Sequence, residues 1–486
     1  MFNKVDQSKT PIFEAVKRYI ADDIIPFHVP GHKHGHGLEE LTAYIGETAM
    51  KMDLNGMRDL DFANNPTGVI QEAEHLLAQA FGAEHAFLLV NGATSGVHTM
   101  IMSACNPGDQ VIIPRNAHKS TIGAIILSGA MPVYVQPEID ERLGIATGVS
   151  VETMRQTIRD HPHAKAVFVI NPSYYGMAPD LKSIVRLAHR SQMAVLVDEA
   201  HGAHMPFHDD FPLTAMEVGA DMSAVSLHKT SGSLTQSAAL LIRGDLIEQH
   251  AVKQSLSLSY TTSASYLLLC SLDLARKQMA LKGHELLEET LALARWAREE
   301  INQLDGLYVP GRELMGRPGF HDIDETKLIV CLRGLGLTGY EAERILRQQY
   351  NIQIELSDIY NVLPYISIGD TKETVGTLIN AFKDMVANCP KGQDRMSTII
   401  PQTPKMIVSP RDAFYSPKKV VRLEQADGEI AGEMIMAYPP GIPVICMGEK
   451  ITTEITEYIK VLKAEDCELQ GAVDPYVDHI RVLGMA

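Results

Sequence analysis

The chain has 486 residues, 45% hydrophobic and 21% charged, the balance of a globular protein long enough for two or three domains. Its net charge of −17 leaves no excess of cations to track phosphates, which excludes nucleic acid and anionic membrane as expected partners. Six scattered cysteines form no Cys-x-x-Cys pair, no apolar run reaches membrane-span length, and the N-terminus carries acids in place of an apolar signal core, so a reduced, cytoplasmic protein is expected.

Residues 10 to 22 put Ile12, Val16 and Ile20 on one helical face. The stretch Pro26-Phe27-His28-Val29-Pro30-Gly31-His32-Lys33-His34-Gly35-His36-Gly37 then breaks that pattern. Its prolines and glycines forbid a helix, and no acid or thiol is interleaved with the histidines. It reads as a shaped loop, and no metal is expected. Residues 68 to 81 return to helical spacing, with Ile70, Ala73, Leu77 and Ala80 apolar.

From there the chain alternates. Apolar runs at 86–90, 110–113, 132–135, 166–170, 194–197, 224–226 and 238–242 predict buried strands. Helical segments at 97–105, 120–128, 151–160 and 181–191 separate several of them. Such alternation predicts an α/β domain with a largely parallel sheet, whose ligand sits in the loops at the carboxyl ends of the strands. A long helix follows at 266–304. Residues 307–388 predict a βαβ-type segment with a strand at 327–332 and a helix at 340–350. A polar, breaker-rich linker at 389–395 precedes a last unit that contains Tyr438-Pro439-Pro440-Gly441-Ile442-Pro443. The expected domains are an N-terminal arm (1–30), a large domain (31–275), a smaller α/β domain (276–390) and a C-terminal α+β domain (396–486).

The strand-end loops carry the chemistry. Asn91-Gly92-Ala93-Thr94-Ser95-Gly96 joins a strand to a helix through small residues, and its amides and hydroxyls suit an anion at a helix N-terminus. It is neither a Walker loop nor a Gly-x-Gly-x-x-Gly dinucleotide turn. The next strand leads to His118, which could stack on a flat ring, and strand 166–170 ends in Asn171-Pro172-Ser173-Tyr174-Tyr175-Gly176, a source of hydroxyl and amide donors. Asp198 directly follows four apolar residues. A carboxylate buried there needs an N–H or a cation, and a protonated heterocyclic nitrogen would serve. Lys229 lies in Ser226-Leu227-His228-Lys229-Thr230-Ser231-Gly232, after an apolar run and before small, flexible residues. A phosphate cradle, a stacking group, an acid for a ring nitrogen and a lysine fit pyridoxal 5′-phosphate held covalently on the lysine.

Five stretches together resemble the Orn/Lys/Arg decarboxylase family. They are Phe27-His28-Val29-Pro30-Gly31-His32-Lys33, Arg115-Asn116-Ala117-His118-Lys119-Ser120, Asp198-Glu199-Ala200-His201-Gly202, Ser226-Leu227-His228-Lys229 and Tyr438-Pro439-Pro440-Gly441-Ile442-Pro443. The likeness spans nearly the whole chain and is greatest to the short bacterial arginine decarboxylases, which lack an N-terminal wing. It implies the aspartate-aminotransferase (type I) fold of pyridoxal-phosphate enzymes. By resemblance, Lys229 holds the cofactor, Asp198 meets the pyridine nitrogen, and His118 and Ala200 flank the ring. Thr94, Ser95, Ser226 and His228 bind phosphate, and His201 reaches the phenolic oxygen. Glu355 meets the distal cation of a basic amino acid. Thr261 and Thr262 reach the phosphate of a neighbouring subunit in a homodimer or larger oligomer. The implied reaction is decarboxylation of L-arginine to agmatine in polyamine biosynthesis, with L-lysine and L-ornithine as alternative substrates. The sequence departs from the family's longer members at Leu356-Ser357-Asp358-Ile359, beside Glu355. An aminotransferase or α-oxoamine synthase sharing Asp-Glu-Ala-His, and a non-catalytic relative, are the competing readings.

Overall fold

A computed structural model describes residues 6–388, 401, 403–437 and 441–484. The chain divides into two compact units, Met1–Ser103 with Ala194–Glu288, and Ala104–Met193 with Glu289–Ala486.

In the first unit, helix Pro11–Ala21 opens on a proline, whose missing N–H is no loss at that position, and buries Ile12, Val16 and Tyr19. Asp273 accepts from the Ile12 N–H at 3.0 Å and pairs with Arg276 at 2.7 Å, so a buried acid is satisfied by one helix start and one cation. Helix Val69–Ala80 buries Ile70, Ala73 and Leu77, as its spacing predicts. The Asp61 carboxylate collects the N–H groups of Thr67, Gly68 and Ile70 at the start of that helix.

The strands of this unit are His85–Leu89, Ala194–Glu199, Met222–Val225 and Ala238–Ile242. Ala194–Glu199 runs parallel to Met222–Val225, with Asp198 opposite Ala224. Met222–Val225 and His85–Leu89 each pair antiparallel with Ala238–Ile242. Because Val225 faces Ala239 and Leu89 faces Ala238, the ends of two strands and the start of a third share one rim.

Two expectations move at that rim. The helix expected from residue 97 starts at Gly92 and runs to Ala104. Apolar periodicity begins only at Val97, and the small residues before it carry no helical signature. The strand expected at 224–226 is Met222–Val225, which leaves Ser226 as the cap of a one-turn helix, Leu227–Thr230, and sets Lys229 on that helix. The 37-residue helix Tyr266–Asn302 changes unit at Glu289.

In the second unit, strand Gln110–Pro114 lies between Met131–Val135 and Ala166–Ile170, parallel to both. Helices Lys119–Ser128, Val151–Asp160 and Leu181–Arg190 alternate with them. A second layer holds Val330–Cys331, Leu356–Ser357 and Asn361–Leu363, all antiparallel, with helices Gly339–Gln349 and Lys372–Asn388 closing a core of Leu328, Leu346, Val362 and Phe382. The strand expected at 327–332 shrinks to Val330–Cys331. Opposite Leu328 stands Pro364, which accepts the Leu328 N–H at 3.1 Å but has no N–H to return, so the ladder is interrupted and only an isolated bridge, Lys327 to Tyr365, lies beyond it. Gly339 cannot be replaced freely, since a Cβ there would meet the Asn361 carbonyl oxygen at 2.0 Å.

The C-terminal part is α+β. Lys418–Arg422 pairs with His479–Leu483, and Ile435–Ala437 lies between Ile442–Ile445 and Leu469–Gln470, with helix Thr453–Ala464 over an aliphatic core. Arg115 ties it to strand Gln110–Pro114. Its guanidinium donates to the Pro443 carbonyl at 2.9 Å and to Glu449 at 3.0 Å, and the same carboxylate accepts from the Cys446 N–H at 2.7 Å. The expected linker at 389–395 and residues 438–440 lie outside the described residues.

Both partners of that ion pair are buried, so removing one strands the other charge. Arg115→Met is expected to cost about 3–5 kcal/mol, read as an earlier urea transition of the second unit, and Glu449→Gln should cost less because its amide still accepts from Arg115.

Candidate active site

Asp198 is the fifth residue of strand Ala194–Glu199 and is 7% exposed. Its Oδ1 accepts from the Ala200 N–H at 3.0 Å. No other side-chain or backbone hydrogen bond reaches this carboxyl among the described residues. Burial raises its pKa, against the Ala200 N–H and the Lys229 charge, which lower it. One lobe of a buried carboxyl is therefore open to a cationic N–H donor.

Lys229 is half-buried, and its Nζ lies 2.9 Å from Nε2 of His201, three residues beyond Asp198. The parallel register places Asp198 beside Ala224, two residues before Ser226 and five before Lys229. Ser226 is 2% exposed and caps no helix N–H with its side chain.

The loop 91–96 is tied to the lysine turn through the start of strand Ala238–Ile242. The Gly92 N–H donates to the Gln236 carbonyl at 2.9 Å, while the His228 N–H reaches the Ser237 carbonyl at 3.3 Å and its Nδ1 lies 2.7 Å from the same oxygen. Sequence reasoning did not single out Gln236 and Ser237, because they act through backbone carbonyls. Gln236 carries a positive φ of 82°, an unusual backbone state for a side-chain-bearing residue, and it sits in a polar, small-residue stretch that shows no periodicity. Gly96 is required by close packing, since a Cβ there would meet Ala224 Cβ at 3.0 Å and Leu89 Cδ1 at 3.1 Å. This approach brings the first turn of helix Gly92–Ala104 to the rim, with Thr94 exposed and the Ser95 hydroxyl turned to the Gly92 carbonyl at 2.8 Å. The Asn91 amide donates to the Ser259 carbonyl at 3.1 Å and so fixes the segment that leads to Thr261 and Thr262.

The first unit thus brings together Thr94, Ser95, Asp198, Ala200, His201, Ser226, His228 and Lys229 on adjoining strand ends. His118 and Glu355 belong to the second unit. His118 caps helix Lys119–Ser128, its Nδ1 accepting from the Ser120 N–H at 3.2 Å, and this leaves Nε2 at the far edge of the ring. Glu355 is exposed just before strand Leu356–Ser357, and the Tyr174 hydroxyl donates to it. Asp358, within the stretch that departs from the family pattern, has a structural task. It accepts from the Tyr175 hydroxyl at 2.7 Å and from the Tyr360 and Asn361 N–H groups at 2.8 Å. Tyr174 was visible in the sequence only as one donor in a polar loop, since its partner lies 181 residues away.

The chain matches the Orn/Lys/Arg decarboxylase major domain over residues 10–374 and the C-terminal domain of the same family over 393–472. It belongs to that family. An arginine decarboxylase of Bacillus anthracis is 44% identical over 484 residues, 99% of this chain and 98% of that protein. One from Bacillus subtilis is 44% identical, with 99% of each chain covered. A lysine decarboxylase of Pseudomonas aeruginosa is 25% identical, covering 95% of this chain and 77% of that one. The solved lysine decarboxylase of Francisella novicida superposes with a TM-score of 0.86 at 22% identity, over 98% of this chain and 81% of that one. The fold is that of the type I pyridoxal-phosphate enzymes.

The residues present fit that family's expected cofactor. Asp198 offers an open buried acceptor to a ring N–H, Lys229 an amine, and the first turn of helix Gly92–Ala104 its N–H groups to a phosphate. Asp198→Asn separates binding from stability. Without cofactor, the variant should unfold at a higher temperature near neutral pH, because an acid whose folded pKa is raised loses stability as pH climbs through that pKa. With cofactor it should lose about 100- to 1000-fold in kcat, about 2.7–4 kcal/mol, measured as CO₂ release.

Proposed function

We propose that the protein decarboxylates L-arginine to agmatine and CO₂, consuming one proton, with pyridoxal 5′-phosphate as cofactor. The observation that carries this reading is the buried Asp198 with an open acceptor, held in register beside the turn that bears Lys229, in a chain 44% identical to arginine decarboxylases along its length. The bound cofactor supplies an electron-withdrawing ring for the electron pair of the breaking Cα–carboxylate bond.

The chain's own residues do the rest. Asp198 accepts the ring N–H and keeps that nitrogen protonated. Lys229 anchors the cofactor and yields to the substrate amine, and His201, 2.9 Å away, exchanges a proton with Nζ and meets the phenolic oxygen. Thr94, Ser95, Ser226 and His228 bind the phosphate together with first-turn amides. His118 and Ala200 would be the residues that flank the cofactor ring. Glu355 receives the substrate's guanidinium, and the Tyr174 hydroxyl orients that carboxylate.

Thr261 and Thr262 are assigned to the phosphate of a second copy, which makes a homodimer the smallest functional assembly. No helix among the described residues is long and apolar enough to cross a membrane, and the proposed reaction is assigned to polyamine synthesis in the cytoplasm. The domain boundaries 31–275, 276–390 and 396–486 are retained as the functional division, with 1–30 as an arm.

A panel of L-arginine, L-lysine and L-ornithine tests the substrate, because one carboxylate would accept a guanidinium or an ammonium. Arginine should give stoichiometric CO₂ and agmatine. Faster release from lysine or ornithine would transfer the assignment to that substrate, and CO₂ release from none of the three would overturn the decarboxylase reading. Lys229→Ala should abolish the visible absorption of bound cofactor and nearly all turnover. Tyr174→Phe should raise KM for arginine about fivefold, about 1 kcal/mol, and leave the absorption spectrum unchanged.

A further inference from the structure

A cavity of about 700 Å³ opens in the first unit, between helix Val69–Ala80, strand His85–Leu89 and helix Gln249–Ser259. Its apolar lining includes Ala78, Phe87 and Leu256. Glu74 projects from the helix into it and is 8% exposed. Oε1 of Glu74 accepts from the Leu88 N–H at 3.2 Å, and no other donor meets this carboxyl among the described residues. A buried carboxyl with one acceptor lobe free, facing open volume, is costly unless a donor or cation completes it.

The charged groups around it decide the sign of that partner. Asp61 lies behind Glu74, with its carboxylate committed to the helix start. Glu72, which Lys9 meets at 3.3 Å from outside the lining, and Glu84 stand on the cavity lining with His75 and His85, and Lys253 is the single lysine or arginine on that lining. Lys253 is exposed and forms no ion pair with Glu74. An anion would meet three carboxyl groups, whereas a cation with an aliphatic body would meet acids at one end and Ala78, Phe87 and Leu256 along its length.

We propose that this cavity is a second ligand site, taking a small aliphatic amine or guanidine whose cationic head is received by the ionised Glu74 carboxylate. The reading is independent of the active-site assignments. Burial and the nearby Asp61 charge raise the pKa of Glu74 to about 8 against the Leu88 N–H and Lys253, so near neutral pH the empty site holds a proton. A bound cation displaces that proton into solvent: the carboxyl O–H bond breaks, Glu74 becomes the counter-ion, and the amine stays protonated throughout. The site also shares Leu88 with the phosphate loop. The Tyr260 hydroxyl donates to the Leu88 carbonyl at 2.7 Å, and Leu88 lies three residues before Asn91.

Calorimetric titration of the holoenzyme with 1,4-diaminobutane at pH 7, in phosphate and in Tris, tests the proposal, because the two buffers take up a released proton with different heats. The expected result is a binding event that releases close to one proton. Glu74→Gln keeps an acceptor for the Leu88 N–H, so the fold and turnover should persist while this event weakens at least tenfold and its proton release disappears. Lys253→Glu, on the surface, should tighten the same event severalfold, and 1,4-butanediol, equally long and uncharged, should not bind. Binding without proton release, or with release that survives Glu74→Gln, would place the diamine elsewhere and overturn the assignment. So would an affinity that Lys253→Glu leaves unchanged.

Discussion

A carboxyl group in the fifth position of an apolar strand sets the conditions for the first unit. Asp198 is kept from water on both faces of its strand, and the fold gives it one N–H, from Ala200. Everything beside it is correspondingly small. The parallel register sets Ala224 opposite it, and Gly96 of the next helix packs against Ala224 with no room for a Cβ. That sequence of small residues draws the first turn of helix Gly92–Ala104 to the same rim. Under the proposed assignment, a ring nitrogen at Asp198 and a phosphate at that helix start would be met by two consequences of one close packing, since a flat ligand needs both its ends bound in fixed relation.

The lysine turn gains its position differently. Leu227–Thr230 is only one turn long, too short to be stable by itself. It is held because His228 uses both its N–H and its ring against the Ser237 carbonyl, while Gly92 uses the neighbouring Gln236 carbonyl. The start of strand Ala238–Ile242 therefore serves as a common anchor for the loop 91–96 and for Lys229. Side-chain chemistry at 229 depends on backbone chemistry at 236 and 237.

The division between what was legible and what was not follows from these causes. Strands 166–170 and 238–242 and helix 151–160 were readable to the residue, since their apolar patterns coincide with their hydrogen-bonded limits. The placement of Asp198, His201 and Lys229 at one strand rim was readable because loops after apolar runs must lie there. The start of helix Gly92–Ala104 was not, because glycine, alanine, threonine and serine reveal no face. The shortened strand at Val330–Cys331 depends on Pro364 across the ladder, and the pairs Tyr174–Glu355 and Arg115–Glu449 join residues 181 and 334 apart. Nothing local in the sequence announces a partner at that distance. Asp358 shows the converse. A departure from the family pattern beside Glu355 reads as a specificity change, yet the Asp358 carboxylate is consumed by Tyr175 and Asn361 in holding the chain that carries Glu355.

Three buried carboxyl groups of the first unit can be ranked by how far the protein itself satisfies them. Glu199 is complete: one oxygen accepts from the Ala215 N–H at 2.8 Å and the other from the Ser223 hydroxyl at 2.6 Å, which marks a structural acid. Asp198 and Glu74 each receive a single backbone N–H. For Asp198 the proposed missing donor is the cofactor's ring nitrogen. Glu74 stands in the same unfinished state over an open cavity, and a glutamine would serve its one hydrogen bond to Leu88 equally well without the cost of an ionisable group. What a glutamate adds at that position is charge on demand, which has a use only if a cation enters.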